Sequence, residues 1–189
     1  HNHQGERSML VLRPADAEEA AVAWQMAMAE KRPVALIFSR QNIKSLPALN
    51  CSRRDEAKQA TKGAYIVMDS AKAKVVMLAS GSEVATLIEG AELLQKGGIA
   101  VRVVSVPSEG LFRDQPKSYQ DSILPKNVVR YGMTSGLSIN LRGLVGENGV
   151  IHGCDHFGYS APFKVLDEKF GYNGQTVYEE VKALLNKNN

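Results

Sequence analysis

From residue 63 onward, short apolar runs alternate with stretches of helical period, and this limits the chain to an α/β fold with a mostly parallel sheet. Tyr65 to Met68, Val75 to Ala79, Val101 to Val106, Val128 to Met133 and Val150 to Cys154 read as strands. Between them, Ser80-Gly81-Ser82-Glu83 opens a helix, with Ser80 and Glu83 at capping-box spacing. Val84, Leu87, Ile88, Ala91 and Leu94 make its apolar face, and Gly97-Gly98 closes it. Tyr119 to Leu124 predicts a short helix closed by Pro125. Ser160-Ala161-Pro162 starts another, with Phe163, Leu166 and Phe170 on one face. Thr176 and Glu179 form a last capping box before Val177, Val181, Leu184 and Leu185. The expectation is a three-layer α/β domain with helices on both faces of the sheet.

The first part reads strand, helix, strand. Met9 to Leu12 is a short apolar strand, and Asp16 is placed to cap a helix, with Glu19 three residues on. Ala20, Ala23, Trp24 and Ala27 recur at helical spacing, Lys31-Arg32-Pro33 ends the helix, and Val34 to Phe38 is a buried-type strand. This partial βαβ unit is too small to be a domain alone. Residues 44–62 read as a polar, basic connector, with Pro47, Asn50 and Arg53-Arg54 but no sustained period. The expected division is 1–43, a linker at 44–62, and a domain at 63–189.

Composition excludes several function classes. No apolar run approaches ~18 residues, so no membrane span is expected. The opening segment, His1 to Arg7, has no apolar signal-peptide core. The net charge of +3 is spread along the chain, and in 44–62 Asp55 and Glu56 interrupt the basic residues with no aromatics between them, so no nucleic-acid partner is expected. The two cysteines, Cys51 and Cys154, lie far apart, which suits a reducing cytoplasm.

Arg40 is the foremost candidate site residue. A guanidinium at the carboxyl end of a strand can bind a phosphate through two parallel charged hydrogen bonds. From position alone, a structural ion pair is an equal alternative. Ser39 and Asn42 fit a role in the turn that follows. Arg13 fits a local ion pair beside the capping Asp16. Gly81-Ser82 could cradle a phosphate, but Glu83 in the first turn opposes an anion, and a helix cap explains the sequence better. His152, Cys154 and His156 alternate along a strand as zinc ligands might, yet they would span roughly 13 Å, too far for one ion. No metal ligand is assigned.

The order Arg13-Pro14-Ala15-Asp16, Trp24, Ser39-Arg40-Gln41-Asn42 resembles the end of the pyrimidine-binding domain of transketolases. Gly81-Ser82-Glu83-Val84, Val101 to Ser108, Tyr119 to Pro125, Val145 to Gly149 and Phe157 to Pro162 resemble the transketolase C-terminal domain, in the same order. The chain departs from the pattern at Thr134 and Tyr159, where glutamate is usual in that family. The resemblance implies a homodimeric parent enzyme that moves a two-carbon ketol unit from a ketose phosphate to an aldose phosphate, using thiamine diphosphate and magnesium. It implies that Arg40 binds the sugar phosphate. The family's cofactor motifs have no counterpart here, and His1 and His3 lie outside the context of its substrate histidines. The chain is therefore expected to be a C-terminal fragment, inactive by itself, with no catalytic, cofactor or metal residue of its own. A non-catalytic assembly module is an alternative. A relative such as deoxyxylulose-phosphate synthase is another, disfavoured by the Ser-Arg-Gln-Asn string and the Phe157 to Pro162 turn.

Overall fold

Strand β1 (Leu10–Leu12), helix α1 (Ala17–Ala29) and strand β2 (Val34–Leu36) form a parallel βαβ unit. The structure, a computed structural model, describes His3, Gly5 and residues 7–188, so most of the opening segment read above lies outside it. Helix α2 (Arg53–Ala57) and a 3-10 turn, Lys58–Lys62, follow. The main sheet contains β3 (Tyr65–Met68), β4 (Val75–Ala79), β5 (Val101–Ser105), β6 (Val129–Met133) and β7 (Val150–His152). Its spatial order is β3-β5-β4-β6-β7, parallel except for β3 against β5.

Alternate residues of the central strand β4 feed two cores. Val75, Met77 and Ala79 point to one face, where α3 (Glu83–Lys96) contributes Val84, Leu87, Ala91 and Leu94 and packs on a late helix. Val76 and Leu78 point to the other. That second face is covered by α4 (Glu109–Arg113), α5 (Lys117–Ile123) and α6 (Ile139–Val145), through Phe112, Ile123, Leu141, Leu144 and Val145. The chain ends with α7 (Phe163–Phe170) and α8 (Gly174–Lys187), the latter adding Val177, Val181 and Leu184 to the first core. Period two in β4 and period 3.6 in α3 therefore act on the same apolar residues. The three layers match the expectation.

Local details differ from it. Helices α2, α4 and α6 are too short to show a helical period, so the sequence pattern did not reveal them. Residues 44–62 are not simply a solvated polar surface, because Leu46, Ala57 and Ala60 are buried in the first core. Two expected capping boxes are absent. Helix α3 begins after Ser82, which makes no side-chain cap, while Asn173 caps α8 by accepting from the Thr176 N–H. Strand β2 stops at Leu36 rather than Phe38, and β7 stops at His152 rather than Cys154.

A buried polar network explains why 44–62 packs inward. Asp16 caps α1 by accepting from the Glu19 N–H, as expected. Asp16 and Glu19 have no solvent exposure, and Arg53 from α2 reaches both, at 2.7 and 3.2 Å. Glu19 also accepts from Tyr65 Oη at 2.5 Å, Ser105 Oγ at 2.7 Å and the Ala15 N–H at 2.8 Å. Burial pushes the Glu19 carboxyl up from its usual range, and these donors oppose that push. Burial acts the same way on Asp16, but Arg53 and the Glu19 and Leu46 N–H groups outweigh it and hold that carboxyl down. Replacing Arg53 with Met should strand two buried carboxylates and cost about 3–5 kcal/mol. Urea unfolding of wild type and variant measures this, and a loss below about 1 kcal/mol would show that the network does not hold the βαβ unit in place.

The far edge of the sheet is closed by a histidine. His152 Nδ1 lies 3.0 Å from Glu180 Oε1, and Nε2 lies 2.8 Å from the Phe170 carbonyl. With an acceptor at each nitrogen, the ring is suited to the doubly protonated form. Glu180 also accepts from Tyr131 Oη at 2.7 Å, and the Tyr172 ring meets the imidazole edge-on. The bond to Glu180 raises the His152 pKa above its usual value, although burial opposes it. A raised folded-state value gives stability that is fully present below the unfolded value, about 6.5, and is lost as pH rises through the folded value. Unfolding free energy should therefore fall as pH rises above about 6.5, and His152→Gln should remove that slope; an unchanged slope in the variant would assign it elsewhere.

Candidate functional site

The carboxyl ends of β4, β5 and β6 meet the βαβ unit at residue 13. The Arg13 N–H donates to the Pro107 carbonyl at 2.8 Å, and the Gly81 N–H donates to the Arg13 carbonyl at 3.1 Å. The Arg13 side chain then crosses the sheet edge. Its Nη2 donates to both Glu83 oxygens, at 2.9 and 2.8 Å, and to Ser135 Oγ at 2.9 Å, while Nη1 reaches Ser80 Oγ at 3.3 Å. Glu83 also accepts from the Ser135 N–H at 2.8 Å. Residue 81 has φ +66°, and a Cβ there would lie 2.8 Å from Arg13 Nε, so glycine is required twice over.

Arg13 is thus in an ion pair as expected, but with a partner seventy residues away rather than a local one. Glu83 serves this pair instead of a capping box with Ser80. At the Gly81-Ser82 turn the Gly81 N–H is already used and the buried Glu83 carboxylate opposes an anion.

Arg13 divides two clefts. The larger, about 690 Å³, is lined by Arg7, Arg32, Ser108, Thr134 and Asn140 on its polar side. The smaller, about 440 Å³, lies between residues 37–41 and the α7 region, and is lined by Ser39, Gln41, Cys154, Tyr159, Asp167 and Tyr172. Burial raises the Asp167 carboxyl, and the nearby Glu83 adds to the shift.

Arg40 does not sit at the end of a buried strand. It lies four residues past β2, on an exposed bend. Among the described residues its guanidinium makes no hydrogen bond or ion pair, so the structural ion pair weighed from sequence has no partner among them. Its neighbours Ser39 and Gln41 reach the smaller cleft, whereas Asn42 is exposed and does not line it. Phe38 stacks on Trp24 with ring centroids 6.4 Å apart, which holds the start of this loop against α1.

Cys154 Sγ lies 3.9 Å from His156 Nδ1, but His152 does not join them. His152 is committed to Glu180 and Phe170, and His156 Nδ1 faces the Phe157 carbonyl at 2.9 Å. Among the described residues, no three His, Cys, Asp or Glu are grouped to hold a metal ion. Thr134 and Tyr159, the two departures from the family pattern, have local contacts instead. Thr134 Oγ1 accepts from the Gly136 N–H, and Tyr159 stacks on Phe170 beneath Lys169. Sequence reasoning missed Arg53 and the partnership of Arg13 with Glu83. Neither leaves a short-range signal, since each pair joins residues far apart in the chain.

Known proteins place this geometry in a family. Residues 63–173 match the model described as the transketolase-like TK C-terminal domain. The transketolase of Geobacillus stearothermophilus is 38% identical over 184 residues, covering 95% of this chain and 27% of that protein. The chain therefore spans about a quarter of the length of such curated relatives. Transketolase from Leishmania mexicana superposes with a TM-score of 0.86 at 31% identity, covering 95% of this chain and 26% of that one. A split-gene transketolase, solved as an inactive beta4 tetramer, shares the fold with a TM-score of 0.73 at 20% identity, over 96% of this chain and 59% of that one. No described helix is long and apolar enough to cross a membrane. With a family match over most of its length and an α/β sheet that superposes on solved relatives, this chain belongs to the transketolase family and carries its C-terminal domain region.

Proposed function

We propose that the chain is the C-terminal part of a transketolase that transfers a two-carbon ketol unit from a ketose phosphate to an aldose phosphate in the cytoplasm. Residues 63–189 form its C-terminal domain, and residues 1–43, joined through 44–62, belong to its pyrimidine-binding domain. Support comes from a family match that begins at residue 63 and from relatives that align across almost the whole chain. In the whole enzyme, thiamine diphosphate with magnesium supplies the carbanion chemistry. The residues present here do not fit that group. No three metal-binding side chains are grouped among those described, and Glu83, the best-placed carboxylate at the sheet edge, is gripped by Arg13. No step of the reaction is assigned to this chain.

Arg40 is the residue that carries the reading. Its exposed guanidinium has no carboxylate partner among the described residues, so it is available to a phosphate, and its neighbours Ser39 and Gln41 line the smaller cleft. It would hold the distal phosphate of the sugar, remote from the reacting carbon. A second reading, an assembly module, draws on the apolar residues left exposed: Trp24, Met28 and Phe38 on the βαβ unit, and Phe157 and Ile139 on the other part. Such surfaces suit the homodimer proposed for the whole enzyme, so the two readings are compatible.

In the intact enzyme, Arg40→Ala should lower kcat/KM for ribose 5-phosphate roughly ten- to a hundredfold, because a hydrogen bond to a charged group contributes about 1.5–3 kcal/mol. The loss should fall mainly on KM, free ribose should be little affected, and Arg40→Lys should recover only part. Equal losses for ribose and its phosphate would assign Arg40 a structural role. Calorimetric titration of the isolated chain with thiamine diphosphate and magnesium should show no saturable binding, and a clear micromolar site would overturn the fragment reading.

A further inference from the structure

None of the eight residues of α7 is buried, and neither is any residue of the stretch that leads into it from Asp155. The ring contacts of Phe170 with His156 and Tyr159 stay within this segment, as does Lys169 over Tyr159. Among the described residues, one hydrogen bond joins α7 to the sheet, between His152 Nε2 at the end of β7 and the Phe170 carbonyl, at 2.8 Å. The segment is anchored on either side of the helix. Before it, the Cys154 N–H donates to the Gly136 carbonyl and Asp155 accepts from Ser138; after it, Tyr172 Oη donates to the Thr134 carbonyl. Helix α7 is therefore a strap held at its ends, and Leu166, Asp167 and Phe170 make it one wall of the smaller cleft.

The tie in the middle depends on a proton. The Phe170 carbonyl belongs to the last turn of α7, where carbonyls have no donor within the helix. It can only accept, and so can the ionised Glu180 carboxylate, 3.0 Å from the other ring nitrogen. A neutral imidazole has one N–H and serves one of the two. The carboxylate is the stronger acceptor, so loss of the proton leaves a bare Nε2 facing the carbonyl oxygen. Two lone pairs at that distance repel, and the helix C-terminus loses a neighbouring cation. The turn that follows is seated directly on the ring: Gly171 has φ +76°, and a Cβ there would lie 3.1 Å from His152 Cε1. Among the described residues, the ionisable groups facing the imidazole are Glu180 from α8, Tyr172 after α7 and, through Glu180, Tyr131 of β6. Burial pushes both tyrosine hydroxyls up, so they stay protonated. The bond to Glu180 and, after it, the Phe170 carbonyl raise the His152 pKa against burial.

We propose that protonated His152 is a latch that holds α7 against the sheet, and that loss of the proton releases this wall of the smaller cleft. By linkage, a carbonyl that favours the proton is itself held more tightly while the proton is present. The latched position is favoured at low pH and is lost as pH rises through the value His152 has with α7 in place. The anchors at Cys154 and Tyr172 confine the movement to the strap. The core between β4 and α3 rests on Val75, Met77, Leu87 and Leu94, none of which touches the latch, so α7 opens without unfolding the sheet. The latch does not depend on what the cleft binds or on the reading of Arg40.

Amide hydrogen exchange reads the latch directly. The full-length protein that carries this sequence is followed by mass spectrometry at about pH 6 and about pH 9, with rates corrected for intrinsic exchange. Protection over residues 163–170 should fall roughly five- to thirtyfold from the lower to the higher pH, the effect of a partly buried imidazolium at a helix end. Protection of α3 and β4 should stay far above that of α7 at both values. His152→Gln should abolish the pH dependence, since an amide does not titrate, and Glu180→Gln should move the transition to lower pH. His156→Asn and Cys154→Ser, which remove the imidazole and the thiol of the strap itself, should leave it in place. Equal protection of α7 at both pH values, a pH dependence that survives His152→Gln, or α7 exchanging only together with β4 would each overturn the proposal. Protection of β4 matching wild type at about pH 6 shows that the His152→Gln fold is intact; if that variant does not fold, the shift in Glu180→Gln decides.

Discussion

The docking of residue 13 onto the carboxyl edge of the main sheet is the contact on which both clefts depend. Its backbone bridges the ends of β4 and β5 by two hydrogen bonds, and its guanidinium reaches across to Glu83 and to Ser135 beyond β6. Arginine suits this place because its planar fork can bind a carboxylate and two hydroxyls together. Glu83 is almost fully buried, so removing its partner would leave an uncompensated charge at the start of α3. The Arg13 side chain is a wall of the larger cleft on one side and of the smaller on the other. Any shift of the βαβ unit relative to the sheet would reshape both.

A second arginine fixes that relation from the other side. Arg53 lies on the short helix α2, between the two sheets in sequence, and it joins Asp16 and Glu19 of α1 to Tyr65 of β3. A chain of charge-assisted bonds in a dry interior has strict geometric demands, which an apolar contact alone would not impose. The cost is visible in Arg53 Nη1, which is buried without a hydrogen-bond partner among the described residues. Residues 44–62 are therefore a clamp as well as a connector, which explains why Leu46, Ala57 and Ala60 reach the core while Lys44 and Lys58 pair at the surface.

What was legible in the sequence follows from range. The sheet strands and α3 were readable because Val75 to Ala79 is a continuous apolar run and Val84 to Leu94 repeats its apolar residues at helical spacing. The cap at Asp16 was readable because cap and recipient are three residues apart. The caps at Ser80 and Thr176 were misplaced because spacing alone cannot tell whether a glutamate is free to turn back: Glu83 is drawn to Arg13, and Asn173 is the better-placed acceptor for α8. Arg53 looked like solvated linker charge, since nothing nearby in sequence signals that Asp16 and Glu19 lie opposite it. Long-range polar pairs carry no periodicity, and a structure is needed to find them.

The arginines themselves separate into roles by what neutralises them. Arg13 and Arg53 face carboxylates with little or no exposure, so their charge is spent on holding the two sheets together. Arg7 and Arg102 hold surface or half-buried aspartates with bidentate geometry, and such pairs contribute little to stability. Arg40 has no carboxylate in reach among the described residues and sits on a loop whose flanking side chains face a cleft. A guanidinium without an internal counter-ion interacts with an incoming anion at full strength, whereas one already paired must first give up part of its bond. By that criterion Arg40 is a cationic position at which an incoming anion would displace no described carboxylate.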